Sequence, residues 1–243
     1  VFPGSAPNNH LIWESLFSMG YKKAAWSYWE TRFDCEDAPE RIGLPEKKWQ
    51  RGDSGEEKLL VCSEQGIGDE ILYLSCLPDL LRDQTAIVVE CDNRWKKLFE
   101  RSFPSITVVS RQIDYKEDDE VFYDYREVVT TNNINSYVLN GDLPAFYRYS
   151  LCESVSSKGY LKADPVRIKK FEYVLDKISS KTLIGICWRS AFSEPVPFIY
   201  AKLDELISSL PVGDYCLVNL QYGDFSADIV RIDDILISLG ISF

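Results

Sequence analysis

Seven consecutive residues, Glu64-Gln65-Gly66-Ile67-Gly68-Asp69-Glu70, bring two flexible glycines beside three carboxylates and an amide. They lie between an apolar run, Leu59–Ser63, with strand character, and an amphipathic helix predicted from Asp69 to Arg82. In an open α/β sheet the loops at the carboxyl ends of strands face the ligand crevice. Two glycines let the backbone turn tightly and let a ligand approach the main chain. Asp69 falls at the helix N-terminus, where free N–H groups and the helix dipole favour its ionised form. A carboxylate held charged in a cleft suits a general base for a substrate hydroxyl. The same position suits a helix N-cap, worth about 1 kcal/mol. Residue chemistry alone leaves both roles open.

A dinucleotide fingerprint competes for the same loop. Gly66-x-Gly68 follows a strand and opens a helix, and Glu90 ends the next strand about 20 residues on, where a ribose-binding acid stands. Against this, the third glycine position holds Ile71, and Asp69 with Glu70 would repel a pyrophosphate. Two further strand ends carry polar groups. Trp188-Arg189-Ser190 follows the strand Leu183–Cys187, and an arginine with a hydroxyl there suits an anionic oxygen. Asn219-Leu220-Gln221-Tyr222-Gly223 closes another strand, with Gln221 placed to hydrogen-bond a base or sugar edge. Each taken singly also fits surface decoration or a structural turn.

The elements that must position these residues read as alternating short apolar strands and helices. Residues 8–33 predict two helices joined at Gly20, the first with Leu11, Ile12, Leu16 and Met19 at helical spacing. Two helices this apolar resemble the last unit of a helical array. Residues 34–57, with Pro39, Gly43, Pro45, Gly52 and Gly55 among charges, have linker composition. From Lys58 the expected order is the strand at 59–63, one helix at 69–82 with Leu72 and Leu74 inward, a strand at 86–90, a helix at 95–103 and a strand at 106–110. Short buried strands separated by helices imply a parallel sheet. Residues 114–120 form an acidic run expected to be a solvated loop. A boundary is expected at Ala163-Asp164-Pro165. Beyond it come a helix at 165–179, strands at 183–187 and 215–220, and helices at 203–210 and 227–239. That makes four segments: a helix pair at 1–33, a linker at 34–57, a Rossmann-like domain at 58–164, and the start of a second at 165–243. The expectation is a chain truncated at both ends.

Composition narrows the function classes. The 243 residues are 45% hydrophobic and 27% charged, which excludes wholesale disorder. A net charge of −11 disfavours nucleic acid, which needs a basic face to displace phosphate counterions. No stretch reaches the roughly 18 apolar residues of a membrane span. Seven cysteines without a CxxC pair, several of them in apolar runs, read as buried reduced thiols of a cytoplasmic protein. With one histidine, they give no zinc spacing.

Taken together, the motifs resemble one family. Gln65-Gly66-Ile67-Gly68-Asp69-Glu70-Ile71, followed one helix later by Leu77-Pro78, resembles the EQGxGD segment of bacterial tetratricopeptide-repeat (TPR) glycosyltransferases. These are relatives of the ADP-heptose:lipopolysaccharide heptosyltransferases, whose GT-B fold sets two Rossmann-like domains face to face. Ala25-Trp26, Trp29-Glu30 and Arg32 resemble the end of the preceding helical repeat, and Trp49 the tryptophan of the linker. Gly159–Pro165 resembles the interdomain segment. Gly185–Ser190, Tyr200 and Leu220–Gly223 resemble the opening of the nucleotide-binding domain.

The resemblance implies inverting transfer of a sugar from a nucleotide-sugar donor to a hydroxyl of a glycan or protein acceptor, with no metal or other cofactor. Asp69 is the implied base. Trp188, Arg189, Ser190, Gln221 and Gly223 fall on the donor side, and Glu64, Gln65, Gly66 and Gly68 on the acceptor-side loop. The TPR-like helices imply a surface for a protein partner. Residues 191–199 lack the glycine and basic residues often seen after the Trp-Arg-Ser stretch. That departure keeps a second reading open, a non-catalytic scaffold of the same fold. A nicotinamide or flavin oxidoreductase is the third.

Overall fold

The computed structural model describes residues 6–33, 39–53, 55, 57–115, 121–148, 159–178, 181–188, 202–210, 213–223, 226, 228, 229 and 236. The chain divides into two compact units, Val1–Asp164 and Pro165–Phe243.

The first unit opens with helices α1 (Ala6–Ser18) and α2 (Lys22–Trp29), then a 3-10 turn, Glu30–Phe33. Gly20 takes φ +84 between the helices, a left-handed conformation that glycine adopts without strain. Trp13, Phe17, Trp26 and Trp29 form one aromatic cluster, with ring centroids 4.6–6.3 Å apart. Ala25 and Trp29 are buried, whereas Leu11, Ile12 and Met19 are exposed.

Residues 34–57 are more than a linker. They supply strands β1 (Glu40–Ile42) and β2 (Lys47–Lys48), and Trp49 is a fully buried core residue. Pairing with distant strands overrides the local turn composition here. After them come β3 (Leu59–Cys62), β4 (Ile87–Cys91), β5 (Thr107–Ser110), β6 (Asp114–Tyr115), β7 (Val121–Asp124) and β8 (Ser136–Leu139). Five of these form one sheet in the order β2-β8-β3-β4-β5, with every neighbour parallel. The unit is thus mixed α/β, compatible with a Rossmann-like arrangement. A smaller sheet, β1-β7-β6, completes it. Asp114 and Tyr115 therefore pair with β7 where a solvated loop was expected, and residues 116–120 lie outside the described residues.

β3 and β4 are buried along their whole length, as a central parallel strand covered on both faces must be. The two-residue period divides them between two cores. Leu59, Val61, Ile87 and Val89 join Leu74, Leu77, Leu80, Phe99 and Leu143 on one face. Leu60, Cys62 and Val88 join Tyr123, Tyr125 and Ile134 on the other.

The helix expected at 69–82 is two helices, α3 (Ile67–Leu74) and α4 (Leu77–Asp83). Pro78, in the first turn of α4, lacks the N–H that a continuous helix needs. α3 buries the face that carries Glu70, Tyr73 and Leu74, and Leu72 falls off that face, at 61% exposure, against its expected inward place. The remaining helices of the unit are α5 (Lys96–Ser102), α6 (Arg126–Asn132) and α7 (Leu143–Tyr147), with a 3-10 turn at Asn140–Asp142.

The second unit holds α8 (Pro165–Ile178), parallel strands β9 (Thr182–Ile186) and β10 (Tyr215–Asn219), and α9 (Leu203–Ser208). Ile186, Trp188, Leu203, Ile207, Tyr215 and Leu217 form its core. Most of the helix expected at 227–239 lies outside the described residues. Cys62, Cys76, Cys91 and Cys216 are free and buried, whereas Cys187, expected inside an apolar strand, is exposed just past the end of β9. Among the described residues no helix is long and apolar enough to cross a membrane.

Candidate functional site

β3 brings the chain to the carboxyl edge of the five-stranded sheet, and Ser63–Gly66 turns it into α3. Ser63 and Glu64 are buried, Gln65, Gly66 and Gly68 are exposed, and Asp69 is half-buried. Gln65 takes φ +59, a left-handed conformation uncommon for a residue with a Cβ. Two hydrogen bonds hold it there. Tyr73 Oη donates to Gln65 Oε1 at 3.0 Å, and Arg111 Nη1 donates to the Gln65 carbonyl at 3.1 Å. Arg111 also donates to Ser63 Oγ at 3.1 Å and lies 3.5 Å from Glu70 Oε1. Sequence reasoning missed Arg111, because it stands on the far side of β4 with no motif around it. Its one signal is its place directly after a strand.

Asp69 has a divided carboxylate. Oδ2 accepts the Gly66 N–H at 3.2 Å, while Oδ1 accepts no hydrogen bond among the described residues. Capping and proton acceptance therefore do not exclude each other, since one oxygen fixes the side chain and the other is available. The glycines are equally informative. Neither Gly66 nor Gly68 has a positive φ, and a Cβ built on Gly68 would meet nothing within 4 Å. Glycine inside a helix costs roughly 0.5–1 kcal/mol relative to alanine. The fold gives no steric or conformational reason for glycine at 68, and the space beside it is open.

The neighbouring carboxylates are engaged. Glu70, fully buried, accepts from Ser63 Oγ and from the backbone N–H of Asp92, at 3.0 Å to Oε2, and so ties the end of β3 to the end of β4. Glu64 is clasped by Arg32, whose Nε and Nη2 donate to its two oxygens at 3.0 and 2.8 Å. The same Nη2 donates to Asp142 Oδ1 at 2.7 Å, and Lys48 Nζ sits 3.0 Å from Asp142 Oδ2. Burial works against the Arg32 charge, but the hydrogen bonds and charges of Glu64 and Asp142 outweigh it and raise its pKa. The Arg32 guanidinium packs on the Trp29 and Phe33 rings, and Trp29 Nε1 donates to the Gly141 carbonyl at 2.8 Å. A Cβ on Gly141 would collide with Glu64 Oε1, so glycine there is needed for the close approach. Glu64, expected to shape an acceptor-side loop, anchors the helix pair to the sheet through Arg32.

This contact has a definite place in the topology. The strand order reverses direction between β3 and β8, and such a switch point opens a crevice at the carboxyl ends. Here Arg32 and Trp29 fill the Glu64–Asp142 side of it. Asp69, Gln65 and Gly68 remain on its open side.

A second feature lies on the face covered by α6. A cleft of about 360 Å³ is lined by Leu60, Glu90, Val109, Tyr125, Val128 and Asn132, among others. Glu90 is only 5% exposed. Its Oε2 accepts the Ser63 N–H at 2.8 Å and the Tyr125 hydroxyl at 3.0 Å. Burial pushes its carboxyl up to about 7, partly offset by those hydrogen bonds and by Arg111 and Arg41. The folded state therefore holds this proton more tightly than the unfolded chain, where the ordinary value is 4.5. The stabilisation is complete below the unfolded value and is lost as pH rises through 7. Glu90→Gln keeps the shape and the neutral form. It is expected to exceed the wild type in stability by about 3 kcal/mol above neutrality, and to match it near pH 4.5. Urea unfolding of both proteins at the two pH values checks this; a difference independent of pH would defeat it.

In the second unit, Trp188 is buried in the core and donates from its ring nitrogen to Asp228 at 3.2 Å. Gln221 is also buried, and its Oε1 accepts the Trp188 N–H at 3.2 Å. It clamps the ends of β9 and β10 together. Gly223 takes φ +83, which requires glycine, and is exposed. Arg189, Ser190 and Tyr200 lie outside the described residues. Among the described residues, no group of three or more His, Cys, Asp or Glu side chains is arranged to hold a metal ion.

No protein-family model matches the chain, and no solved structure matches it. The chain is similar to Protein FlbA of Caulobacter vibrioides, 27% identical over 223 aligned residues. The match covers 88% of this chain and 37% of FlbA, so the chain spans well under half the length of the curated relative it matches.

Proposed function

We propose that the chain is part of a GT-B-type glycosyltransferase of the TPR-linked kind, moving a sugar from a nucleotide-sugar donor to a hydroxyl of a glycan or protein. The observation that carries this reading is the pairing of Gly68 with Asp69. The glycine is not needed by the fold, open space lies beside it, and the next residue is a carboxylate with one oxygen held and one available. In this reading Asp69 Oδ1 takes the proton of the acceptor hydroxyl as that oxygen attacks the sugar carbon. The bond from sugar to diphosphate breaks on the opposite face, and Arg189 and Ser190 receive the departing charge.

A second reading, a binding scaffold without catalysis, draws on Glu64, Asp142 and Gln221, whose side chains are committed to internal contacts.

Thermal unfolding against UDP-, ADP-, GDP- and CDP-linked sugars, with NAD alongside, tests the proposal. A ligand at 100 times its Kd adds about 2.7 kcal/mol of stability, so one sugar nucleotide is expected to raise Tm and Arg189→Ala to abolish the rise. Gly68→Ala is expected to stabilise the free protein by roughly 0.5–1 kcal/mol while lowering acceptor-dependent transfer. Silence across the sugar nucleotides overturns the enzyme reading, and a shift with NAD alone replaces it with the oxidoreductase.

A further inference from the structure

We propose that the cleft between the α6 face of the sheet and the end of β4 is a binding site for a small organic cation, a primary amine on a short carbon skeleton, whose ammonium pairs with Glu90. This goes beyond sugar transfer and stands apart from it, because neither Asp69 nor the glycine loop lines the cleft.

The argument begins with Glu90. It is a carboxylate 5% exposed, and both hydrogen bonds it receives go to the same oxygen, Oε2. Oε1 accepts none among the described residues. Oε1 is not fully buried, so of this otherwise buried side chain it is the oxygen that a cation or a hydrogen-bond donor in the cleft can reach.

The surrounding charges select the sign of the visitor. Glu90, Asp124 and Glu127 line the cleft, with Lys96 as the opposing cation. Asp124 has its own counter-ion in Arg126, which donates to it from Nε at 3.0 Å. Lys96 makes no ion pair with Glu90. Arg41 and Arg111 act on Glu90 from a distance and leave its carboxyl raised, while the Tyr125 hydroxyl and the Cys62 thiol are both held neutral by burial. Above neutral pH, where Glu90 has given up its proton, an anion would meet the Glu90 and Glu127 carboxylates, and an ammonium would meet a partner. Leu60, Val109 and Val128 supply an apolar wall for a carbon skeleton. Ser110, Thr131 and Asn132 supply polar groups for its remaining atoms. The volume, about 360 Å³, is at the lower end of small-molecule sites.

The test uses two probes of equal length, 5-aminopentanol and 1,5-pentanediol, titrated into the intact chain above neutral pH and followed by ligand-observed NMR. The amine is expected to bind and the diol to bind at least about tenfold more weakly, as befits loss of a charged hydrogen bond. Glu90→Gln is expected to erase the difference. Thr131→Trp, at an exposed position of α6 that lines the cleft, is expected to block both probes without altering any charge. It keeps the test decisive should Glu90→Gln misfold. Equal binding of the two probes would make the cleft a hydroxyl reader and overturn the proposal. So would amine binding that survives Thr131→Trp, or no binding by either probe. Nucleotide-sugar binding is expected to be unchanged in Thr131→Trp, which separates failure here from failure of the transferase reading.

Discussion

Arg32→Ala is expected to cost about 3–5 kcal/mol of unfolding free energy, because it strands two buried carboxylates. The side chains of Glu64 and Asp142 are 1% and 6% exposed, and both accept from the one Nη2. Without that guanidinium, Lys48 is the cation left beside Asp142, and Glu64 loses both of its hydrogen bonds. Arg32→Lys is expected to recover part of the loss only, since an ammonium lacks the planar pair of donors that Arg32 sets on both Glu64 oxygens while also reaching Asp142. Adding Glu64→Gln and Asp142→Asn to Arg32→Ala is expected to restore much of the stability by removing the unpaired charges. Urea midpoints of the series measure this. A loss below about 1 kcal/mol for Arg32→Ala would assign the network the value of an exposed ion pair and sink the claim that it anchors the helix pair.

Asp69→Asn is the second large expectation, on activity and not on stability. An asparagine oxygen still accepts the Gly66 N–H, so the cap survives and Tm is expected to stay close to that of the wild type. The amide cannot take a proton, so acceptor-dependent sugar transfer is expected to fall by about 10²–10⁴, the usual contribution of a positioned base. The loss should appear in kcat with donor binding preserved. Undiminished transfer would leave Asp69 as a cap and nothing more. A drop in Tm together with donor affinity would point to a collapsed loop.

How far the site could be read from the sequence depended on how local each cause was. The Gly66–Asp69 loop announced itself because its glycines, its carboxylates and the flanking strand and helix all fall within a dozen residues. The partners that fix the loop did not. Arg111 reaches Gln65 and Ser63 across β4, and Arg32 reaches Glu64 from the helix pair. Both are ordinary arginines until the sheet order brings them together. Glu64 and Gln221 carried the right chemistry for ligand contact, and the structure shows both bonded inside the protein.

The amino-acid order by itself determined the helix pair turning at Gly20, the short buried strands, and the α/β class. These follow from hydrophobic period and turn residues, which act over a few residues. Tertiary structure alone decided that residues 40–42 and 47–48 become strands, that the helix breaks at Pro78 with Leu72 facing out, and that Trp49 is core. It also decided which oxygens of Glu64, Asp69, Glu70 and Glu90 are already bonded. Strand pairing and burial are contacts between residues far apart in the chain. A carboxylate's role depends on what those contacts place within hydrogen-bonding distance of it.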